Sequence, residues 1–509
     1  MSDVLFGQSY YLRFDPKLWE AMQPYPPLGA LYAASLIRGR GYSVGLFDAM
    51  LAGSEEEWAL ALSRERPRFA VLFEDNFNYL SKMCLLRMRQ AAFTMITYAR
   101  RAGSTVIVCG ADATDHAEEY LEQGADFILT GEGEETLSGL LDVLSGRSAG
   151  ELGGILGLVF READGRLVRT PRRPDLRDLD GLPFPAWDLV DVERYRQVWI
   201  ERHGRFSMNM VTTRGCPFHC NWCAKPIWGQ RYNVRSPQNV VAEMRWLVDT
   251  YHPDHIWFAD DIFGLQPGWL EQYASLLETE QLRIPFKSLN RADLLLRGDT
   301  AKALARAGAE IVWIGAESGS QAILDGMEKG NRVEQIYAAA ERLHGVGVQV
   351  GFFLQFGYPG EGLPDIEKTI RMVRDCHPDD IGISVSYPLP GTRFYAMVHE
   401  QLGVKRNWTD SADLAMMYRG PFGTQFYRQL HRVVHREFRA RKTWRELRRG
   451  GLGQAHLRQV GSMLFQWASL PVERWRLQRL AGQGQPEIGP LRTELDPEAA
   501  ARPTPQSDR

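Results

Sequence analysis

The chain has 509 residues, 44 % of them hydrophobic and 24 % charged, with a formal net charge of −3. These values suit a soluble globular protein of roughly two to four domains and leave no overall field that would draw it to nucleic acid. No apolar run reaches the roughly 18–20 residues that span a bilayer. The start, MSDVLFGQSYY, lacks a basic segment ahead of a long apolar core, so no secretory signal is read and the cytoplasm is the expected compartment.

Residues 1–150 alternate short apolar runs with amphipathic segments. Strands are predicted at 3–8, 42–49, 69–76, 105–110 and 126–131, and helices at 28–39, 55–65, 83–102 and 134–144. Short, continuous apolar strands are those covered on both faces, so this stretch is expected to be a doubly wound parallel sheet, α/β in class. Ligands of such sheets sit at the carboxyl ends of the strands, where the loops 24–30, 73–79 and 130–136 fall. No G-x-G-x-x-G follows the first strand, which disfavours a dinucleotide. The loop TGEGEET, with Gly131 and Glu132, lets a ligand approach the backbone but repels a phosphate. Its other reading is a cap on the next helix through Glu134 or Thr136.

Residues 151–205 read as a connector. It begins with a hairpin pattern around a D-G turn and continues as a proline-rich strap, RRPDLRDLDGLPFPAWDLVD. From 206 to 390 the alternation resumes, with strands at 207–213, 254–259, 284–290, 310–316, 349–356 and 381–387. Helices are predicted at 237–250, 267–280, 299–307, 333–345 and 363–376. Ser236 is placed as an N-cap and Pro237 at the first helical position. Six strands with five helices suit a partial, open β/α barrel. Residues 391–482 read as helical. Their basic run RQLHRVVHREFRARKTWRELRRG is either the solvated side of a helix or a contact for RNA or an acidic partner. Leu430, Val433, Val434, Phe438 and Trp444 are expected to form one buried stripe. The polar, proline-rich stretch 483–509 is expected to be disordered.

Of six cysteines, Cys84, Cys109 and Cys376 are scattered and read as small buried hydrophobes. Cys216, Cys220 and Cys223 are spaced C-x3-C-x2-C on the loop after the first barrel strand. A structural zinc site closes with four protein ligands, usually as two pairs. His219 could supply a fourth, but only with adjacent residues turning to one metal. A disulfide leaves one thiol over. A cubane iron–sulfur cluster takes one thiolate per iron, so three cysteines leave one iron open, as a catalytic metal site requires.

This arrangement resembles the radical SAM superfamily. The resemblance implies that the open iron of a 4Fe-4S cluster is chelated by the amino and carboxylate groups of S-adenosylmethionine, which is cleaved reductively to a 5'-deoxyadenosyl radical. It places Trp222 near the adenine and Asp260 and Asp261, in IWFADDIFG, at the methionine amino group; the paired carboxylates could instead bind a divalent metal or cap the next helix. The segment IGAESGSQAILDGMEKG resembles the G-x-E-S-G stretch of superfamily members with an additional N-terminal domain. It puts Glu317 at the ribose hydroxyls or amino group and Ser318 on the same ligand; Lys329 either lies over the cleft or, as is expected first, is a solvated helix lysine. Arg291, near Asp293, would pair with the SAM carboxylate. FGYPGE and YPLPGT end the fifth and sixth strands as tight turns.

The first domain, the strap LPFPAWD and the barrel together resemble cobalamin-binding radical SAM proteins over roughly residues 1–400. The implied fold is a flavodoxin-like sheet followed by a radical SAM barrel, with the corrin between them. Asn76, Asn78, Tyr79, Gly131 and Glu132 are the residues expected to line it. D-x-H-x-x-G, whose histidine ligates cobalt in many cobalamin proteins, is absent. The implied function is activation of a substrate C–H bond followed by cobalamin-dependent methyl transfer to carbon. An external donor such as flavodoxin or ferredoxin would supply the electron. Oxidative cyclisation or rearrangement of a tetrapyrrole-like or other large substrate is the alternative among enzymes, and a non-catalytic iron–sulfur electron-transfer protein the alternative of another class.

Overall fold

The structure, a computed structural model, describes residues 2–83, 85–225, 227–403, 405, 407–450 and 457–482. Cys84 and the stretch 483–509 lie outside the described residues.

The first sheet begins with five parallel strands: β1 (Val4–Gly7), β2 (Val44–Leu46), β3 (Phe69–Phe73), β4 (Thr105–Cys109) and β5 (Phe127–Leu129). The hairpin β6 (Leu158–Arg161) and β7 (Leu167–Arg169) joins it antiparallel, giving the order β2-β1-β3-β4-β5-β6-β7. The segment expected to be a connector thus completes the sheet, because Leu158, Val159 and Phe160 are apolar enough to bury against β5. Helices cover both faces, and β1 and β3 are buried along their whole length, which is why they read as unbroken apolar runs.

The strap crosses to the second domain. Its Trp187 is fully buried, the Ala186 N–H donates to the Leu31 carbonyl, and Asp188 pairs with Arg38 at 2.6 Å. The barrel strands are β8 (Ser207–Met210), β11 (His255–Phe258), β12 (Phe286–Asn290), β13 (Ala309–Glu317), β14 (Gln349–Phe356) and β15 (Asp380–Val385). They form an all-parallel half-barrel in the order β15-β14-β13-β12-β11-β8. A short ribbon, β9 (Thr213–Arg214) with β10 (Asn233–Val234), frames the cysteine loop. Ser236 Oγ accepts the Asn239 N–H and caps the helix Pro237–Tyr251.

A single hydrophobic core runs from the loops of the first sheet into the barrel, joining Tyr25, Leu28 and Phe77 to Trp228, Phe258 and Phe286. The loop 24–30 seals one side. Tyr25 Oη lies 2.9 Å from Ser207 Oγ, and the Asn209 amide donates to the Pro26 carbonyl at 3.0 Å. Two long helices, Thr424–Gly450 and Leu457–Ala481, finish the chain. Leu430, Val433, Val434 and Phe438 are buried as expected, but Trp444 is 46 % exposed: the stripe ends a turn and a half earlier than its spacing suggests. Cys109 and Cys376 are buried. Among the described residues no helix is long and apolar enough to cross a membrane.

Candidate functional site

The cysteine loop leaves the carboxyl end of β8 through Gly215. Its φ is +82°, and an added Cβ would lie 2.4 Å from the Arg231 carbonyl oxygen, so only glycine can make this turn. Asn221 holds the loop from within. Its backbone N–H donates to the Met327 carbonyl (3.0 Å), its amide to Gly326 O (2.8 Å) and Tyr358 Oη (3.0 Å), and its own carbonyl accepts the Phe394 N–H. Neither Asn221 nor Arg214 stands out in the sequence, since what each does depends on partners 80 or more positions away.

Cys216, Cys220 and Cys223 are free and half-buried, and His219 is exposed. Burial raises the Cys216 thiol and pushes Cys223 up to about 12, with Asp261 adding to the latter and Lys225 opposing both. Cationic groups approach from two sides. Arg291 Nη1 lies 3.9 Å from Cys220 Sγ, with its guanidinium 3.7 Å from the Phe218 ring centroid, and the Lys225 ammonium donates to the Phe218 carbonyl. Among the described residues no three His, Cys, Asp or Glu side chains converge on a point as a single ion requires. Three thiols on one short loop suit a cubane, which takes one sulfur per iron.

Glu317 ends β13 at a break in the register with β14 and has φ +56°. Its carboxylate accepts from Lys329 Nζ at 2.8 Å, both side chains being buried, and Arg291 Nη2 donates to the Lys329 carbonyl at 2.8 Å. Gly315 leaves the space for this pair, since a Cβ there would lie 2.7 Å from Lys329 Nζ. Lys329 is therefore a buried member of the cysteine site rather than a solvated helix lysine. Arg291 also meets Asp293 at 3.0 Å. A positive φ at a non-glycine residue on a bulge is strain of the kind that concentrates at functional sites.

Several expected ligand residues have other work. Asp260 is buried, and its carboxylate accepts four hydrogen bonds, from the N–H and hydroxyl groups of Thr212 and Thr213, at 2.7–3.0 Å. It fixes the base of the cysteine loop, which corrects the expectation that it meets the methionine amino group. Asp261 pairs with Lys82 of the first domain at 2.6 Å. Ser318 is fully buried, shares a hydrogen bond with Thr369 (3.2 Å) and accepts the Ser320 N–H (3.1 Å). It ties the strand end to the helix Leu363–Cys376. Trp222 packs beside Ile323, Met327, Tyr358 and Phe394, and its indole N–H is buried without an acceptor.

The loops of the first sheet reach the same place. Glu132 and Glu134 both grip Arg214, at 2.9 and 2.7 Å, two residues before Cys216, and Glu132 also accepts the Leu176 N–H at 2.5 Å. The GEGE loop is thus a clamp between domains rather than a helix cap. Gly131, at φ +82°, has only the Ile227 carbonyl oxygen near an added Cβ, at 3.9 Å, so its face stays open. Asn78 caps a short helix by accepting the Leu80 N–H. Tyr79 is different. Its ring is 52 % exposed, yet burial raises its phenol, with the charges of Cys223 and Glu317 adding to the effect. Asn76 Oδ1 and Ser81 Oγ, flanking it in sequence, are buried without partners, as are Ser9 Oγ and Tyr10 Oη after β1. Unsatisfied buried polar atoms call for a ligand or ordered water, and an amide-fringed corrin fits that donor and acceptor set.

The inner face of the half-barrel is open as well. Trp313 and Phe353 stack with centroids 4.6 Å apart, and Phe353 is 40 % exposed. They lie flat because Gly351 carries no side chain, a Cβ there falling 2.4 Å from Trp313. Lys287, beside Trp257 (4.8 Å to the ring centroid), has its pKa lowered to about 8 by burial and then by Arg205. No carboxylate lies within ion-pair distance of it among the described residues.

Residues 210–373, which carry most of the half-barrel, the three-cysteine loop and the strained Glu317, match the Radical SAM superfamily. Beyond that match, the chain is 29 % identical over 392 residues to an uncharacterized methyltransferase of Pyrococcus horikoshii, covering 75 % of this chain and 81 % of that one. It is 25 % identical over 388 residues to an anaerobic magnesium-protoporphyrin IX monomethyl ester cyclase of Rubrivivax gelatinosus, covering 75 % and 67 %. Among solved structures it shares the fold of the radical S-adenosylmethionine methyltransferase TsrM from Kitasatospora setae, with cobalamin and a [4Fe-4S] cluster bound. The TM-score is 0.63 at 20 % identity, over 79 % of this chain and 78 % of that one.

Proposed function

We propose that this chain is a cobalamin-dependent radical SAM enzyme that methylates a carbon of a small-molecule substrate. The observation that carries the reading is the seam where the loops of the first sheet meet the cysteine loop. Glu132 and Glu134, from the sheet, grip Arg214 two residues before Cys216, and Lys82 pairs with Asp261, so a cofactor on the first sheet and one at the cysteines would meet there. When bound, the cluster, S-adenosylmethionine and cobalamin supply a one-electron reductant, a carbon-centred oxidant and a transferable methyl group. Cys216, Cys220 and Cys223 hold the cluster as thiolates, shedding protons on loading. Arg291 offsets their negative charge, the Glu317–Lys329 pair faces the nucleoside, and Trp222 offers its N–H beside the adenine. Asn76, Tyr79, Ser81 and Gly131 line the corrin. The inner barrel face holds the substrate, flat against Trp313 and Phe353, with Lys287 facing any anionic group it carries.

The relative named a methyltransferase and the methyltransferase fold support this reading over ring formation. Free thiols suit the reducing cytoplasm, where a flavodoxin or ferredoxin would supply the electron. The test is anaerobic turnover with methyl-labelled S-adenosylmethionine, cobalamin and an extract of candidate substrates. Label in a carbon–methyl product, lost in the Cys220→Ala variant, is the expected result. Release of 5'-deoxyadenosine with no methyl transferred would favour oxidative cyclisation instead.

A further inference from the structure

The C-terminal helical hairpin is charged unlike the rest of the chain. Its first helix, Thr424–Gly450, carries eight Arg and one Lys against two Glu, and its second, Leu457–Ala481, four Arg against one Glu. The hairpin therefore holds an excess of ten positive charges in a chain whose total is −3.

It is also unusually apolar outside. The second helix packs chiefly on the first, with Met463, Leu470 and Leu477 buried. Its opposite face should be polar, yet Leu464, Phe465, Val472 and Trp475 are exposed there, with Trp467 on the flank. Positions 464, 468, 471/472 and 475 recur at the helical period and form one outward stripe. Of thirteen large hydrophobic side chains exposed among the described residues, six lie on this hairpin, Trp444 included, so the exposure is concentrated rather than scattered. Guanidinium groups border the aromatic rings. Arg436 lies 5.8 Å from the Phe465 ring centroid, Arg441 5.7 Å from Trp467, Arg448 4.7 Å from Trp444 and Arg479 5.8 Å from Trp475.

We propose that the hairpin is a peripheral membrane-binding element, seating the Leu464–Trp475 stripe in the interface of an anionic bilayer while its arginines pair with lipid phosphates. Tryptophan and arginine side by side around an aliphatic stripe is the chemistry of that interface. A second copy docked through the same face would set two strongly basic hairpins against each other. A nucleic acid would match the charge but offers no apolar phase to Leu464 and Val472. The helix lies on the surface and does not span it, since no described helix is apolar enough to cross.

The test is co-sedimentation of the full-length reconstituted protein with vesicles of phosphatidylglycerol and phosphatidylcholine in equal parts, against phosphatidylcholine alone. A basic residue near such a surface strengthens binding about fivefold, so binding to the anionic vesicles at least about tenfold tighter is expected, with release by high salt. The double variant Phe465→Ser/Trp475→Ser should weaken it by about tenfold or more. Both side chains are exposed, so its melting temperature and S-adenosylmethionine cleavage should match the parent. Equal binding to both vesicles, binding to neither, a dimer that the double variant dissolves, or a single-stranded RNA complex that it abolishes would each overturn the proposal.

Discussion

Glu361 sits in the loop after β14, buried, with one carboxylate oxygen accepting the Gly357 N–H at 2.6 Å and the other without a partner. Burial lifts its pKa from 4.5 to about 8, with Asp365 adding to the rise. The fold therefore holds a proton there that the unfolded chain releases near pH 4.5. Stability from this group is complete below that value, declines as the pH climbs towards about 8, and is gone above it. Each pH unit in the window costs up to about 1.4 kcal/mol. Glu361→Gln should flatten the decline in melting temperature between pH 5 and 8; an unchanged slope would place the titrating group elsewhere. Residue chemistry was the least readable level in the sequence. The segment around Glu317 stood out through its resemblance to the G-x-E-S-G stretch. The real partners of Asp260, Glu132 and Lys329 were not, because each is decided by a residue distant in the chain: Thr212 lies 48 positions from Asp260, and Arg214 82 from Glu132.

Elements were far more readable. The barrel strands and their helices fall within about three residues of their predicted bounds, because strands buried on both faces leave short apolar runs and Ser236–Pro237 marks a helix start. What failed was membership rather than existence: β6 and β7 formed where expected but joined the sheet, since pairing with β5 depends on which edge is free. The glycines show the same division. Gly319, between Ser318 and Ser320, reads as an ordinary turn, yet an added Cβ would lie 2.4 Å from the Lys368 carbonyl oxygen. Gly319→Ala should force β13 away from the helix Leu363–Cys376, cost about 1–3 kcal/mol by overpacking and weaken S-adenosylmethionine binding through Glu317. Gly139→Ala, in the helix Glu134–Leu144 with nothing within 4 Å of the new Cβ, should instead stabilise by about 0.5–1 kcal/mol. Thermal melts of the two variants should move in opposite directions.

At the scale of the molecule, two sheets present the carboxyl ends of their strands to one another, and charged contacts close the seam. Arg214 between Glu132 and Glu134, and Lys82 on Asp261, tie the first domain to both sides of the cysteine loop. A continuous core beneath them keeps the spacing. The open inner face of the half-barrel, proposed above to hold the substrate, was not legible in the sequence, since Trp313, Phe353 and Lys287 look like ordinary strand residues until the half-barrel turns them inward. The account rests on three thiolates that leave one iron for S-adenosylmethionine within this seam. The most direct test is electron paramagnetic resonance of the anaerobically reconstituted, reduced protein. About four irons per chain are expected, with a cluster signal that shifts when S-adenosylmethionine is added and vanishes in Cys216→Ala. A signal that ignores S-adenosylmethionine, or a metal bound by four protein side chains, would contradict it.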